Sequence, residues 1–170
     1  MSTLTGNILN LSRLEQQEII SEKSDFRLDE QVRQVILLLE PLWAEKNLDM
    51  NIQLDELFFN GNQALLHQVW LNLLSNAIKF TPSGGSIHVL LSKHDSNIQV
   101  SIRDTGVGIS ENAQKHVFDK FYQGDEARST SGNGLGLALA KRIVDLCGGS
   151  ITVSSSDGLG SEFIVELPAK

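Results

Sequence analysis

Three short stretches of this 170-residue chain combine residue types that could do chemistry. Asp104-Thr105-Gly106-Val107-Gly108-Ile109 directly follows an alternating strand pattern. An Asp at a strand's end puts a carboxylate acceptor at the mouth of a core. Two glycines let the backbone turn sharply and approach a flat ligand closely. Such an acceptor suits an exocyclic amine like that of adenine, although the same residues could simply close an Asx-turn. The second stretch, Gly132-Asn133-Gly134-Leu135-Gly136-Leu137, leads into a helical pattern. Backbone N–H groups at a helix start, with the dipole behind them, form an anion site that suits phosphate. It is neither a dinucleotide fingerprint nor a Walker loop, because no parallel βαβ unit surrounds it and no Lys-Ser/Thr follows the last glycine.

The third stretch is the helical run from His67 to Phe80. Asn72 and Asn76 stand four apart and share a face, with Lys79 one turn beyond. Asparagine is a mediocre helix former, so two on one face of a leucine-rich helix call for a reason. An amide oxygen can hold Mg²⁺, which takes the rest of its shell from waters and phosphates. Lys79 can add a point charge to a phosphate. Two buried, satisfied amides are the other reading.

The elements that must position these groups follow from periodicity. Residues 1–23 read as a polar-leaning helix with a thin stripe of Leu4, Ile8, Leu11 and Leu14. Phe26 and Leu28 suggest a short edge strand, and Asp29 a helix N-cap. A broad apolar stripe from Glu30 to Asn47 predicts a helix that Pro41 kinks or opens. Residues 48–54 alternate as a strand, and Asn62 to Phe80 form the next helix, ended by Thr81-Pro82-Ser83-Gly84-Gly85. Strands at 86–93 and 97–103 meet around His94-Asp95-Ser96. Residues 134–146 form a helix, and strands at 150–155 and 161–167 close the chain as a hairpin. The result is an α/β (α+β) two-layer sandwich: a mixed, mostly antiparallel sheet with helices over one face.

With a net charge of −7, the chain is a poor partner for nucleic acid or an anionic membrane, and any nucleotide must be held by local groups. The single cysteine, Cys147, rules out an intrachain disulfide, which suits a cytoplasmic setting. No apolar run approaches the roughly 20 residues of a membrane span; the longest covers only residues 35–39.

The ordered set of asparagine helix, D-x-G-x-G-I and G-x-G-L-G-L resembles the ATP-binding domain of bacterial sensor histidine kinases. That domain belongs to a superfamily shared with gyrase, the heat-shock chaperone ATPase and the mismatch-repair ATPase, and is known for a Bergerat-type fold. The likeness runs over nearly all of residues 27–167. Residues 67–82 look like the asparagine box, and Val117-Phe118-Asp119-Lys120-Phe121-Tyr122 looks like the phenylalanine box that marks the kinases. Gly158-Leu159-Gly160-Ser161-Glu162-Phe163 looks like the closing hairpin.

The resemblance implies ATP (or ADP) and Mg²⁺ as cofactors, with Asn76 the metal ligand and Asn72 and Lys79 on the phosphate side. Asp104 would accept from the adenine amino group, with Phe80, Gly106, Gly108 and Ile109 around that pocket. Gly132, Gly134, Leu135, Gly136 and Leu137 would meet the phosphates. Residues 123–133 would form a lid, with Lys120, Tyr122 and Arg128 as further nucleotide contacts and Phe118 and Phe121 as packing anchors. Residues 1–23, with Asn10-Leu11-Ser12-Arg13-Leu14-Glu15, look like the tail of a dimerisation and phosphoacceptor domain, leaving 24–170 as the catalytic domain.

None of His67, His88, His94 and His116 sits in the family's phosphoacceptor context. The expected partners are therefore a histidine-bearing dimerisation domain and, downstream, the receiver domain of a response regulator. Within the same superfamily, a nucleotide-driven clamp would need a carboxylate early on the asparagine helix, where residues 63–68 offer none. A serine kinase that binds a sigma factor stays open as a reading, though the phenylalanine box and the opening helix fit it less well, and the intact Asn76, Asp104 and glycine set argues against a vestigial interaction module.

Overall fold

The computed structural model describes residues 22–120, 135–156 and 158–169. Strand β1 (Ser24–Arg27) leads into helix α1 (Leu28–Leu38), and the short helix α2 (Glu40–Glu45) follows. Strands β2 (Asp49–Leu54) and β3 (Phe58–Gly61) precede the long helix α3 (Gln63–Phe80). Then come β4 (Ser86–His94), β5 (Asn97–Asp104), the single-turn α4 (Glu111–Gln114), α5 (Gly136–Leu146), β6 (Ser150–Ser156) and β7 (Gly160–Pro168).

Five strands form one sheet in the order β2-β4-β5-β7-β6; β2 runs parallel to β4, and the other pairs are antiparallel. Period-two alternation sends Ile87, Val89 and Leu91 of β4, Ile98, Val100 and Ile102 of β5, and Phe163, Val165 and Leu167 of β7 into the core. Helices α1, α3 and α5 cover that face. Their buried stripes are Val32, Val35 and Ile36; Leu66, Val69, Trp70, Leu73 and Leu74; and Leu139, Ala140, Ile143 and Val144. The mixed, helix-covered sheet is the sandwich expected from the sequence.

Several local expectations need correction. The predicted strand at Phe26 is present, but Leu28 already belongs to α1 and is fully buried. Asp29 is not the N-cap; Arg27 holds that position. The Asp29 carboxylate instead accepts from Arg27 Nε at 2.8 Å, from its terminal nitrogen at 2.6 Å, and from the Leu57 amide at 3.3 Å. The Arg27 fork holds this buried carboxyl below the ordinary aspartate range, against the opposing effect of burial. Pro41 opens the expected helix: α1 ends at Leu38, and the proline sits in the first turn of α2, where its missing N–H costs nothing.

Strand β3 has no counterpart in the sequence reading; it pairs with β1 as a separate two-stranded ribbon. Glu22 and Lys23, the described end of the predicted opening helix, carry no regular structure, and the rest of that helix lies outside the described residues.

Candidate functional site

Helix α3 is the floor of the site. Asn62 caps its N-terminus, the side chain accepting from the Leu65 amide at 2.9 Å. Its buried stripe seats it on the sheet, and Asn72, Asn76 and Lys79 lie together on the neighbouring face, each half-buried. A buried glutamine fixes the helix from the side: Gln31 Oε1 accepts from Trp70 Nε1 at 2.8 Å while Gln31 Nε2 donates to the Gln63 carbonyl at 2.8 Å.

Near the middle of α3 the start of α5 lies over Asn72. A methyl group built on Gly136 would sit 3.5 Å from Asn72 Oδ1. Leu135, the N-cap of α5, buries its side chain in the core and gives the helix no side-chain cap, and Leu137 stands half-buried in the first turn. Opposite this N-terminus, Asn72 Nδ2 is the one buried side-chain polar atom without a hydrogen-bond partner among the described residues. An orphaned donor beside a helix N-terminus is a local arrangement that asks for an acceptor, and an anion supplies one.

At the far end of α3, roughly 12 Å further along the axis at 1.5 Å per residue, the Asp104 turn is built. Asp104 continues the inward set Ile98, Val100 and Ile102, so a carboxylate occupies a core-facing position and is only 6% exposed. Both of its hydrogen bonds within the chain fall on Oδ1, from the amides of Gly106 at 2.8 Å and Ser161 at 3.3 Å. Burial raises its pKa above the ordinary aspartate value, and the two amides work against that shift. The Val107 amide donates to the Phe80 carbonyl at 3.3 Å, which joins the turn to α3.

The glycines of this turn are required by the chain itself as well as by any ligand. A methyl group on Gly106 would collide with the Phe80 carbonyl oxygen, and one on Gly108 (φ +78°) would collide with the Ser156 carbonyl. The β6–β7 hairpin clamps the turn from outside. Gly158 N donates to Val107 O at 2.7 Å, and Ile109 N to Ser155 Oγ at 2.7 Å. Gln114 Nε2 bridges the Ile109 and Ser155 carbonyls at 2.8 and 2.9 Å.

Lys79 projects its ammonium over the Phe80 ring, 5.3 Å from the centroid, and desolvation lowers its pKa. A phosphate beside this lysine would favour its charged form and oppose that shift. Lys120 is exposed at the edge of the described residues. Phe118 packs edge-on against Phe163 with centroids 6.1 Å apart, as a packing anchor should. Tyr122, Arg128, Gly132 and Gly134, together with Phe121 and the expected lid, lie outside the described residues.

The structure thus brings Asn72, Asn76, Lys79, Phe80, Asp104, Gly106, Gly108, Ile109, Leu135, Gly136 and Leu137 around one helix. Sequence reasoning missed Ser155, Ser161 and Gln114, whose bonds to the turn join parts of the chain up to 57 residues apart. A shallow depression of about 480 Å³ on the uncovered face of the sheet is lined by residues such as Asn51, His88, Ser101 and Arg103 and includes none of the site residues. His67 is half-buried on α3, His88 lies on that uncovered face, His94 pairs with Ser92 at 2.9 Å, and His116 with Asp119 at 2.9 Å.

Among the described residues no three His, Cys, Asp or Glu side chains gather as a metal site, and no helix is long and apolar enough to cross a membrane. A Mg²⁺ ion held by one amide oxygen and by the phosphates it serves needs no such cluster, so the half-buried Asn76 and its neighbours fit that ion.

Comparison with known proteins agrees with this geometry. The profile of the family described as histidine kinase-, DNA gyrase B- and HSP90-like ATPases matches residues 61–170. The sensor histidine kinase RppB of Synechocystis sp. is 35% identical over 172 residues, which take in 99% of this chain and 38% of that protein. Full-length ShkA in complex with AMPPNP superposes with a TM-score of 0.87 at 30% identity, over 98% of this chain and 35% of that one. The histidine kinase ThkA in complex with response regulator protein TrrA gives a TM-score of 0.80 at 25% identity, over 98% of this chain and 47% of that one. The chain therefore spans less than half the length of each of these relatives. It belongs to the histidine kinase-, DNA gyrase B- and HSP90-like ATPase family, and within it is similar to the catalytic, ATP-binding part of the sensor histidine kinases.

Proposed function

We propose that this chain binds ATP with Mg²⁺ and transfers the γ-phosphoryl group to a histidine carried by a dimerisation domain, in a protein that signals to a response regulator. One observation carries the reading. A single helix bears, among the described residues, an orphaned amide donor under the start of α5 and, two turns later, the carbonyl on which a buried carboxylate turn rests. The kinship of RppB, ShkA and ThkA supports it, as do the AMPPNP complex of ShkA and the TrrA complex of ThkA.

In this mechanism Asp104 accepts a hydrogen bond from the adenine amino group through Oδ2, while Oδ1 stays with its two amides. Phe80, Gly106, Gly108 and Ile109 wall the base. Asn72 donates its unpaired amide to a phosphate oxygen, and the first N–H groups of α5, from Gly136 and Leu137, point at the same anion. Leu135 belongs to this phosphate side, and by the family resemblance Gly132, Gly134, Lys120, Tyr122 and the lid residue Arg128 would contact the nucleotide too. Lys79 adds a positive charge. Asn76 would hold Mg²⁺, which neutralises phosphate charge and fixes the geometry of transfer. Phosphoryl transfer depends mainly on positioning and charge stabilisation, so this chain requires no general base of its own. The receiving imidazole comes from the partner domain.

A hydrolytic clamp is disfavoured by the first turn of α3, which holds no acidic residue to activate water. The test mixes the chain, γ-labelled ATP and Mg²⁺ with the histidine-bearing dimerisation domain of the same parent protein. Label on that domain, stable to base and lost in acid, is the expected result. ATP hydrolysed with no label on the domain would sink the kinase assignment in favour of the clamp.

A further inference from the structure

Every helix leaves its last four carbonyls without intrahelical donors, and α3 satisfies them in an unusual way. Many helices fold back through a left-handed glycine, whose following amides cap the end. Here the C-cap is Thr81, and it precedes Pro82, which disfavours helical backbone; Thr81 is extended at φ −98°, ψ 122°. The donors come from elsewhere. Thr81 Oγ1 donates to the Ala77 carbonyl at 2.7 Å. Lys46 Nζ donates to the carbonyls of Ile78 at 2.7 Å and Lys79 at 3.2 Å. The Val107 amide takes the fourth, on Phe80.

Lys46 reaches these carbonyls from 32 residues away, out of the turn between α2 and β2. Its own backbone is tied to the same neighbourhood, since the Lys46 carbonyl accepts from Gly84 N at 2.9 Å. Asn47 beside it takes the left-handed conformation that turns the chain into β2 (φ +55°). A cation at a helix C-terminus also offsets the negative end of the dipole. Besides its own Thr81, the last turn of α3 therefore has two supports, Lys46 and the turn that carries Asp104.

We propose that Lys46 is a positioning residue for the nucleotide site: it locks the last turn of α3, and through the Phe80 carbonyl sets the Asp104–Gly108 turn in its binding geometry. This rests on the nucleotide reading above. Without the ammonium, the carbonyls of Ile78 and Lys79 turn to water, the last turn frays, and the Val107–Phe80 bond loses its fixed partner. Binding must then pay for ordering both pieces.

The test uses the whole chain at a temperature well below unfolding, with calorimetry of adenosine and ADP binding and amide exchange at Val107 referenced to Val100 in β5. Lys46→Met should weaken both ligands roughly tenfold and speed exchange at Val107 without changing it at Val100. Lys46→Arg, which can still donate to both carbonyls, should restore both readouts. If Lys46→Met folds poorly, Lys46→Gln keeps one donor and should fall between the two. Wild-type affinity in Lys46→Met would overturn the proposal, and so would equal acceleration at Val107 and Val100. Failure of the unaltered chain to bind adenosine or ADP would instead remove the nucleotide reading, and the Lys46 role with it.

Discussion

The two ends of the site, one at Asn72 midway along helix α3 and the other at Phe80 where the helix stops, are finished to different degrees. At the Asp104 end, the described structure already supplies many of the partners. Asp104 Oδ1 holds two amides, Ile109 and Val107 are bonded to the closing hairpin, and the Phe80 carbonyl is met by Val107. At the Asn72 end, among the described residues, an amide donor is buried without a partner and the N-cap residue of the adjoining helix gives no side-chain cap. A base has a fixed shape that a rigid turn can match in advance. A phosphate chain is a charged, flexible object, and donors awaiting an anion suit it. The difference argues that the base side is preorganised and the phosphate side is completed by its ligand.

The largest expected effect tests the base side. Asp104→Asn keeps an oxygen for the amides of Gly106 and Ser161 but turns the other position into a donor facing the adenine amine. Leaving a buried group unpaired costs about 1–3 kcal/mol, and the loss should be equal for adenosine, ADP and ATP in calorimetry. Stability should move the other way. The folded pKa of Asp104 lies above its unfolded value, so ionisation opposes folding. That cost begins as pH rises through the unfolded value and is complete above the folded one. At pH 7 the amide variant should therefore melt no lower than the parent. A lower melting temperature together with unchanged adenosine affinity would make Asp104 structural.

Asn76→Ala probes the other end. It should leave adenosine affinity unchanged and shrink the gain that Mg²⁺ gives to ATP by about tenfold, the low end of what loss of a supporting group costs a metal site. Equal weakening of adenosine and ATP would break the division of labour between the two ends.

Legibility in the sequence followed the same divide between local and distant information. Helix α3 was readable to within a residue because its Asn62 cap, its apolar stripe and its Pro82 terminator are all local signals. The inward and outward faces of β4, β5 and β7 were readable because period two is also local. The β1–β3 ribbon was readable only in part: Phe26 suggested β1, but β3 is four residues long, too short for alternation to declare, and nothing local gives the register Phe26↔Phe59. Asp29 was misread because its type suits a cap, whereas Arg27 and Leu57, one near and one distant, claim its carboxylate. In the site, Asp104, Gly106 and Gly108 were readable as types but not by full cause. The sequence suggests glycines cleared for a ligand, while the fold also clears them for the carbonyls of Phe80 and Ser156. Lys46, Ser155 and Gln114 were invisible, because contacts across 32 to 46 positions leave no spacing to read.

The smallest expected effect concerns Lys79 and separates the two ends by pH. Burial lowers its pKa, so in the unliganded chain it loses its proton at a lower pH than an ordinary lysine. A phosphate group beside it favours the charged form and raises that pKa on binding. Affinity for ATP should therefore fall as the pH rises through the depressed Lys79 value, with proton uptake on binding in that window. Adenosine carries no phosphate, and its affinity should stay level over the same range. Calorimetry in two buffers of different ionisation enthalpy measures the uptake directly, and Lys79→Met should abolish the slope for ATP without creating one for adenosine. Parallel slopes for both ligands would place Lys79 with the base instead, and the contrast between the two ends of α3 would fail at the residue where they meet.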